Sequence, residues 1–501
     1  MRFIIWTFLA LSPSVNAFAV STFESDFQKD DWHYAEWDNV TIISNSKRSK
    51  TDEIARTVAQ FLQHMDAVLP FPRREDSWPL EIFVCRDSRT FRYLAPDEPK
   101  YQNDVSGIFT NGLGYDAIII HADTGMSSLR SIVFHELVHR ELRPLEGIPL
   151  WLDEGLAEVY SNFKLSGEWI HYGLSDSRHR HYLQRKKQTP FERLFEVTHS
   201  SPDYHVRELS ISFYATSWAF THFALFGKEG IYKDRFLNFI EIARNEFITE
   251  AIFKEHFEMG YEEMSDQLRK YVSSFRFPKS RSKLQSETNL PSFEWETLES
   301  PHIELLLAGA TTLSRRHERS AQLLGENSQS LNTLQALWYR QKTTLNYYLG
   351  NHLDAQELAE TAYEYGDRSP TTLLLYAEKL LNTAPGWRVY YDEVLSLKEI
   401  NRAFRCINQV LEIAPRHPLA CKLYALGWMR TTNKPSREQY RKLMNNARLH
   451  VDDPEICFLT ADLMSINKEW RMAKSILEHF IEASNSAEDQ QAAVERLRNM
   501  P

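Results

Sequence analysis

The segment FHELVHRELRPLEGIPLWLDEGLAEVY, residues 134–160, constrains this chain more than any other. His135 and His139 stand four apart, with Glu136 beside the first. On an α-helix, positions i and i+4 share a face, so both imidazoles can aim at one point. Glu136 borders that point without occupying it. Ile132, Val133, Leu137 and Val138 make the rest of the helix apolar. The helix should therefore be buried, and buried His and Glu side chains need partners. A zinc ion supplies them. Two neutral imidazoles bind the metal, and the adjacent carboxylate can take a proton from a water whose pKa zinc lowers to about 7.

Such a centre takes a third protein ligand and keeps a fourth position open. After fourteen residues beyond His139 come Glu154 and Glu158, again four apart. Gly147 and Pro149 mark a turn and a new helix start before them. One carboxylate can bind zinc while the other accepts a hydrogen bond from a ligating histidine. Gly155 within that helix costs about 1 kcal/mol against Ala. It makes sense where the helix packs closely against another.

The chain has 501 residues, too many for one core, so two or three domains are expected. Its net charge of −10 argues against a nucleic-acid binder. The start, MRFIIWTFLALSPSVNAFAV, places a short apolar run after Arg2 and small residues at Val15–Ala17. It reads as a signal peptide over 1–17, too short to span a bilayer. No later stretch is long and apolar enough to span, so an exported protein, periplasmic or secreted, is expected. Cys85, Cys406, Cys421 and Cys457 are too few for a disulfide scaffold. Cys406 and Cys421 flank a helix turn and could bridge, and buried free thiols are the alternative.

Strands are expected at 38–45 and 80–86, a helix at 51–65, and a hairpin around Asn111–Gly112. From 127 to about 274 the pattern is mainly helical. Residues 276–299 lose periodicity and gain Pro, Ser and charge, which reads as a linker. Beyond 300 the chain is helical with a degenerate scheme. Small residues at Ala355, Ala403 and Ala473 sit on second helices, each followed by an apolar stripe. Four or five repeats are expected.

HELVH followed by WLDEGLAE resembles the gluzincin metallopeptidases, the group of thermolysin and the aminopeptidase N family. It is most similar to the bacterial peptidase-MA-like proteins. The resemblance implies an α+β fold with a thermolysin-like zincin domain over 18–275. It implies zinc held by His135, His139 and Glu154, with Glu136 as catalytic base. Glu158 would lie in the shell outside the ligands. Tyr214, or failing that His205, would stabilise the oxyanion. The helical part, 300–501, resembles tetratricopeptide repeats, whose helix pairs stack because one pair cannot bury its own apolar face. A peptide or protein substrate follows, with a protein partner on the repeats. The competing expectation is an inactive peptidase-like scaffold that binds through its repeats. A binding-only chain has no need of Glu136. The basic run SRHRHYLQRKK, 177–187, is expected as a solvated loop, and His222 as a packed core histidine.

Overall fold

The computed structural model describes residues 30–501, apart from 66–67, 70–77, 99–104, 124–125, 143–147, 167, 199–200, 276, 284–290, 326–331, 383–393, 452 and 485. The expected signal peptide lies outside the described residues. The fold is mixed α+β, with 22 α-helices and two sheets among the described residues.

The larger sheet has six strands in the order β4-β5-β3-β2-β1-β9. These are β1 (His33–Trp37), β2 (Val40–Ser44), β3 (Leu80–Cys85), β4 (Gly107–Asn111), β5 (Asp116–His121) and β9 (Glu296–Thr297). The β2, β3 and β5 strands run parallel, whereas β1, β4 and β9 pair antiparallel at the flanks. The central strands are continuous apolar runs because both faces of the sheet are covered. Ile42, Ile82, Val84, Ile118 and Ile120 face one core. Their alternates Ile43, Phe83, Cys85, Ala117 and Ile119 face another.

The first face is covered by α1 (Arg48–His64) and α3 (Met126–Leu142), with α2 (Ser88–Leu94) between them in the chain. Helix α3 carries the HELVH motif, and Val133, Leu137 and Val138 on it are fully buried. Beyond it come α4 (Leu150–Tyr160), α5 (Ser177–Leu183), α6 (Phe191–Leu194), α7 (Pro202–His205), α8 (Arg207–Phe226), α9 (Lys233–Asn245), α10 (Glu250–Phe257) and α11 (Tyr261–Val272). This region is mainly helical, as expected. It also holds a three-stranded sheet, β6 (Lys164–Ser166), β7 (Trp169–Tyr172) and β8 (Ser280–Lys283).

The stretch 276–299, expected as a linker, is not free. Its β8 pairs with β7, and its β9 pairs with β1 at the edge of the main sheet. The next helix, α12 (Ser300–Leu313), then lies on the second face of that sheet. Ile303, Leu306, Leu307, Ala310 and Leu313 form its sheet-facing stripe at helical spacing. Its other side meets Leu324, Trp338 and Leu345 of the following helices.

From α12 onward eleven helices follow one another: α13 (His317–Leu324), α14 (Gln335–Tyr348), α15 (His352–Glu364), α16 (Pro370–Leu380), α17 (Leu397–Ile413), α18 (Pro418–Met429), α19 (Arg437–Leu449), α20 (Pro454–Ile466), α21 (Trp470–Ala483) and α22 (Ala487–Arg498), the last of them without a partner after it among the described residues. The first helices of successive pairs, α12, α14, α16, α18 and α20, pack on one another in order. Ala355, Ala403 and Ala473 lie on the second helices α15, α17 and α21 and are buried. All four cysteines are buried thiols outside any disulfide, so Cys406 and Cys421 do not bridge.

The sheet face under α12 sets the first expectation. Leu307 is 2% exposed within the core that joins the two parts. Leu307→Ala should destabilise the fold by about 2–5 kcal/mol, the range for such core truncations. A chain ended after residue 275 should lose solubility, because β8, β9 and α12 go with it. Thermal melts read the first and centrifugation the second. A soluble, folded 1–275 chain would mean that the two parts do not share a core.

Candidate metal centre

Helix α3 presents His135, Glu136 and His139 along one side, next to the N-terminal half of α4. Pro149 in extended conformation opens α4, as its sequence requires. The Nε2 atoms of His135 and His139 lie 3.0 Å apart. Oε2 of Glu154 stands 3.3 Å from the first and 3.5 Å from the second. Zinc bonds of about 2.0–2.1 Å at tetrahedral angles put ligand atoms roughly 3.3 Å apart, so this triangle is one face of such a site. The Glu154 side chain is 4% exposed, against 19% for His135 and 14% for His139. The carboxylate closes the floor and the imidazoles leave an open side. Oε2 makes no hydrogen bond among the described residues, whereas a buried carboxylate oxygen ordinarily has a partner. A cation at the centre of the triangle would supply it. The residues present therefore fit a zinc ion.

The other oxygen of Glu154 is held differently. The Tyr204 hydroxyl donates to Oε1 at 3.2 Å and the Tyr214 hydroxyl at 3.4 Å. Burial, followed by the Glu154 charge, raises the Tyr214 pKa well above the ordinary phenol value. Its proton is therefore secure as a donor. Tyr214, anticipated from sequence, thus reaches the centre, and Tyr204 joins it. His205 is exposed at the end of α7, edge-on to Tyr204.

Each of these two histidines has a carboxylate near its Nδ1. Asp153 Oδ1 is 3.0 Å from His139 Nδ1. Glu158 Oε1 is 3.8 Å from His135 Nδ1. The expectation for Glu158 outside the ligands matches its place, but its short contact is with another histidine. His179 Nε2 lies 2.9 Å from Glu158 Oε2. The basic run 177–187 is thus not simply a solvated loop. Residues 177–183 form α5, whose N-terminus is capped by Asp176. Arg180 donates to the Val272 and Ser274 carbonyls. His179 and Arg180 are half-buried and Leu183 is buried, whereas Arg178, His181 and the tail Gln184 to Lys187 are exposed. His222 is a satisfied core histidine, bonded to the Tyr271 hydroxyl and the Gly173 carbonyl.

Asp153, Tyr204 and His179 escaped the sequence reading. Asp153 had a usable signal, because a carboxylate preceding the ligand in the first turn of α4 can look back at α3. Tyr204 and His179 had none, since both arrive from short helices distant in the chain.

The electrostatics follow from these contacts. Burial disfavours the charged form of His139, but Asp153 and Glu154 outweigh it and hold its pKa well above the histidine value. Burial likewise opposes the charge on Glu154, yet the two imidazoles pull its pKa far below the carboxylate range. Glu136 is moved the other way: burial raises its pKa, partly offset by His135 and His139.

Comparison with known proteins gives no match: no family model, no characterised relative and no solved structure is similar to this chain.

The raised His139 pKa gives a solution test. Asp153 and Glu154 favour the protonated form of His139 in the metal-free chain, and a nitrogen that binds metal must give up its proton. Zinc uptake should therefore release protons and tighten as pH rises. Titration calorimetry in buffers of different ionisation enthalpy reads this release. His139→Ala should lose zinc by elemental analysis. Unchanged zinc in that variant would remove the centre as described.

Proposed function

We propose that the chain is an exported zinc-dependent peptidase of the gluzincin kind. Its 18–275 part would be a thermolysin-like catalytic domain, and its tetratricopeptide-like helix pairs would hold a substrate or partner protein. The observation that carries this reading is the triangle of His135, His139 and Glu154, with an unpartnered buried carboxylate oxygen and Glu136 beside it. Export rests on the N-terminal apolar run and its small-residue site.

A peptide substrate is supported by what borders the site. Strand β4 is the edge of the main sheet and packs against α3. An added Cβ at Gly107 on β4 would stand 3.5 Å from Glu136 Oε1, so edge strand and base adjoin. An extended peptide can align with an edge strand through main-chain hydrogen bonds.

Bound zinc would supply a hydroxide near neutral pH and polarise a carbonyl. Glu136 accepts the proton of the attacking water at its carboxylate and returns it to the leaving nitrogen. Burial raises its pKa toward the range where such exchange is efficient. Tyr214 and Tyr204, whose hydroxyl protons rest on Glu154 Oε1, would turn from it to meet negative charge developing beside Glu154.

Glu136→Gln should keep zinc and fold but lose peptide hydrolysis, because an amide does not accept that proton. Full activity would sink the mechanism. Tyr214→Phe should lower kcat about 100-fold with zinc unchanged, the scale of one oxyanion donor. A change under about threefold would transfer that role to Tyr204.

A further inference from the structure

The two ligating histidines are not oriented in the same way. His139 has a carboxylate in direct contact, Asp153, at 3.0 Å. For His135 the nearest outer carboxylate, Glu158, stands at 3.8 Å, beyond hydrogen-bonding distance. Glu158 does not rest on His135. It is held by its other oxygen, 2.9 Å from His179 Nε2. Both side chains are largely buried, at 14% and 12% exposure, so the contact is shielded from water.

His179 is itself fixed from several sides. Asp176 caps α5 by accepting from the backbone amides of Arg178 and His179. The same carboxylate binds the Arg178 guanidinium and the Asn162 amide. The fully buried Trp218 ring lies 5.6 Å from the imidazole. Glu158, Asp176 and His179 also sit close enough to suggest a cation site. Asp176 is already saturated with donors, however, and Glu158 is bonded to His179, so this group is complete as it stands.

We propose that His179 is a positioning residue for the metal centre. It pins Glu158 at the distance where that carboxylate biases the His135 ring and favours the tautomer with Nε2 free to bind. The geometry that carries this is the chain Asp176-capped α5, His179, Glu158, His135. The inference deepens the zinc reading and rests on it.

The test is zinc affinity of the full chain by chelator competition, with melting of the metal-free chain alongside. His179→Gln keeps a donor at the Nε2 position, and His179→Leu fills the space beside Trp218 without one. Wild type should bind one zinc. The Gln variant should stay within about threefold, and the Leu variant should weaken about tenfold or more, the scale for an outer partner of a ligand. Metal-free H179L should melt below H179Q, because Glu158 loses its buried donor, so the affinities are compared well below both transitions. In a double-mutant cycle, H179L added to E158Q should cause little further loss, because both cut one chain. Wild-type affinity in H179L, equal loss in H179Q, or losses that multiply in the cycle would each overturn the relay. If wild type binds zinc in those cases, the centre itself stands. If wild type binds none, the metal reading fails and the relay with it.

Discussion

The centre depends on how closely α4 can approach α8. At Gly155 an added Cβ would stand 2.3 Å from Thr221 Oγ1 and 2.9 Å from the Ser217 carbonyl. No side chain fits there, so glycine at this position sets the separation of the two helices. Tyr214, Ser217 and Thr221 share one face of α8 at spacings of three and four. The contact that seats Gly155 therefore also brings the Tyr214 hydroxyl to Glu154, one residue before the glycine. Trp218, next on that helix, closes against His179. One close approach thus governs the ligand carboxylate, the phenol on it and the outer histidine.

The charge inventory shows why the arrangement suits a cation. Glu136, Asp153, Glu154 and Glu158 gather around His135, His139 and His179. With neutral imidazoles the group is strongly negative in a largely buried place, which is costly without compensation. The neighbouring carboxylates instead favour the charged forms of His135 and His139, whose pKa values are both raised. A divalent cation at the triangle would take the place of those imidazole charges and meet Glu154 Oε2 directly.

The parts of this structure that were legible in sequence are those fixed by local period. The spacing of His135 and His139 forces them together on any helix. The short β-branched runs at 80–86 and beside Asn111–Gly112 read as strands, and β3 and β5 lie there. What was not legible rests on distant pairing. The segment SRSK that forms β8 is polar and short, and only its pairing with β7 makes it a strand. HYAEW, which forms β1, alternates too weakly to stand out beside β2. The stripe of α12 reads as a repeat helix, and nothing local says that its partner is a sheet more than 180 residues earlier. His179 looked like one cation in a basic run because Glu158 was not visible beside it.

That shared sheet changes how the helix pairs relate to the site. The β4–β5 hairpin has its edge strand beside Glu136 and its tip among the helix pairs. At the tip, the Leu113 amide donates to the Tyr348 hydroxyl at 3.1 Å. An added Cβ at Gly112 would meet Leu313 at 2.8 Å, and one at Gly114 would meet Thr371 Oγ1 at 1.9 Å. The glycines let the tip enter a space that any side chain would fill. Nearby, Arg316 donates to the Ala95 and Arg92 carbonyls and Arg319 stacks over Tyr93, fastening α2 to α13 and the turn before it. The hairpin is therefore gripped at both ends, by the sheet and α3 at one and by α12, α14 and α16 at the other. Its register beside Glu136 is set by both halves of the chain, so the helix pairs belong to the frame of the site as much as the sheet does.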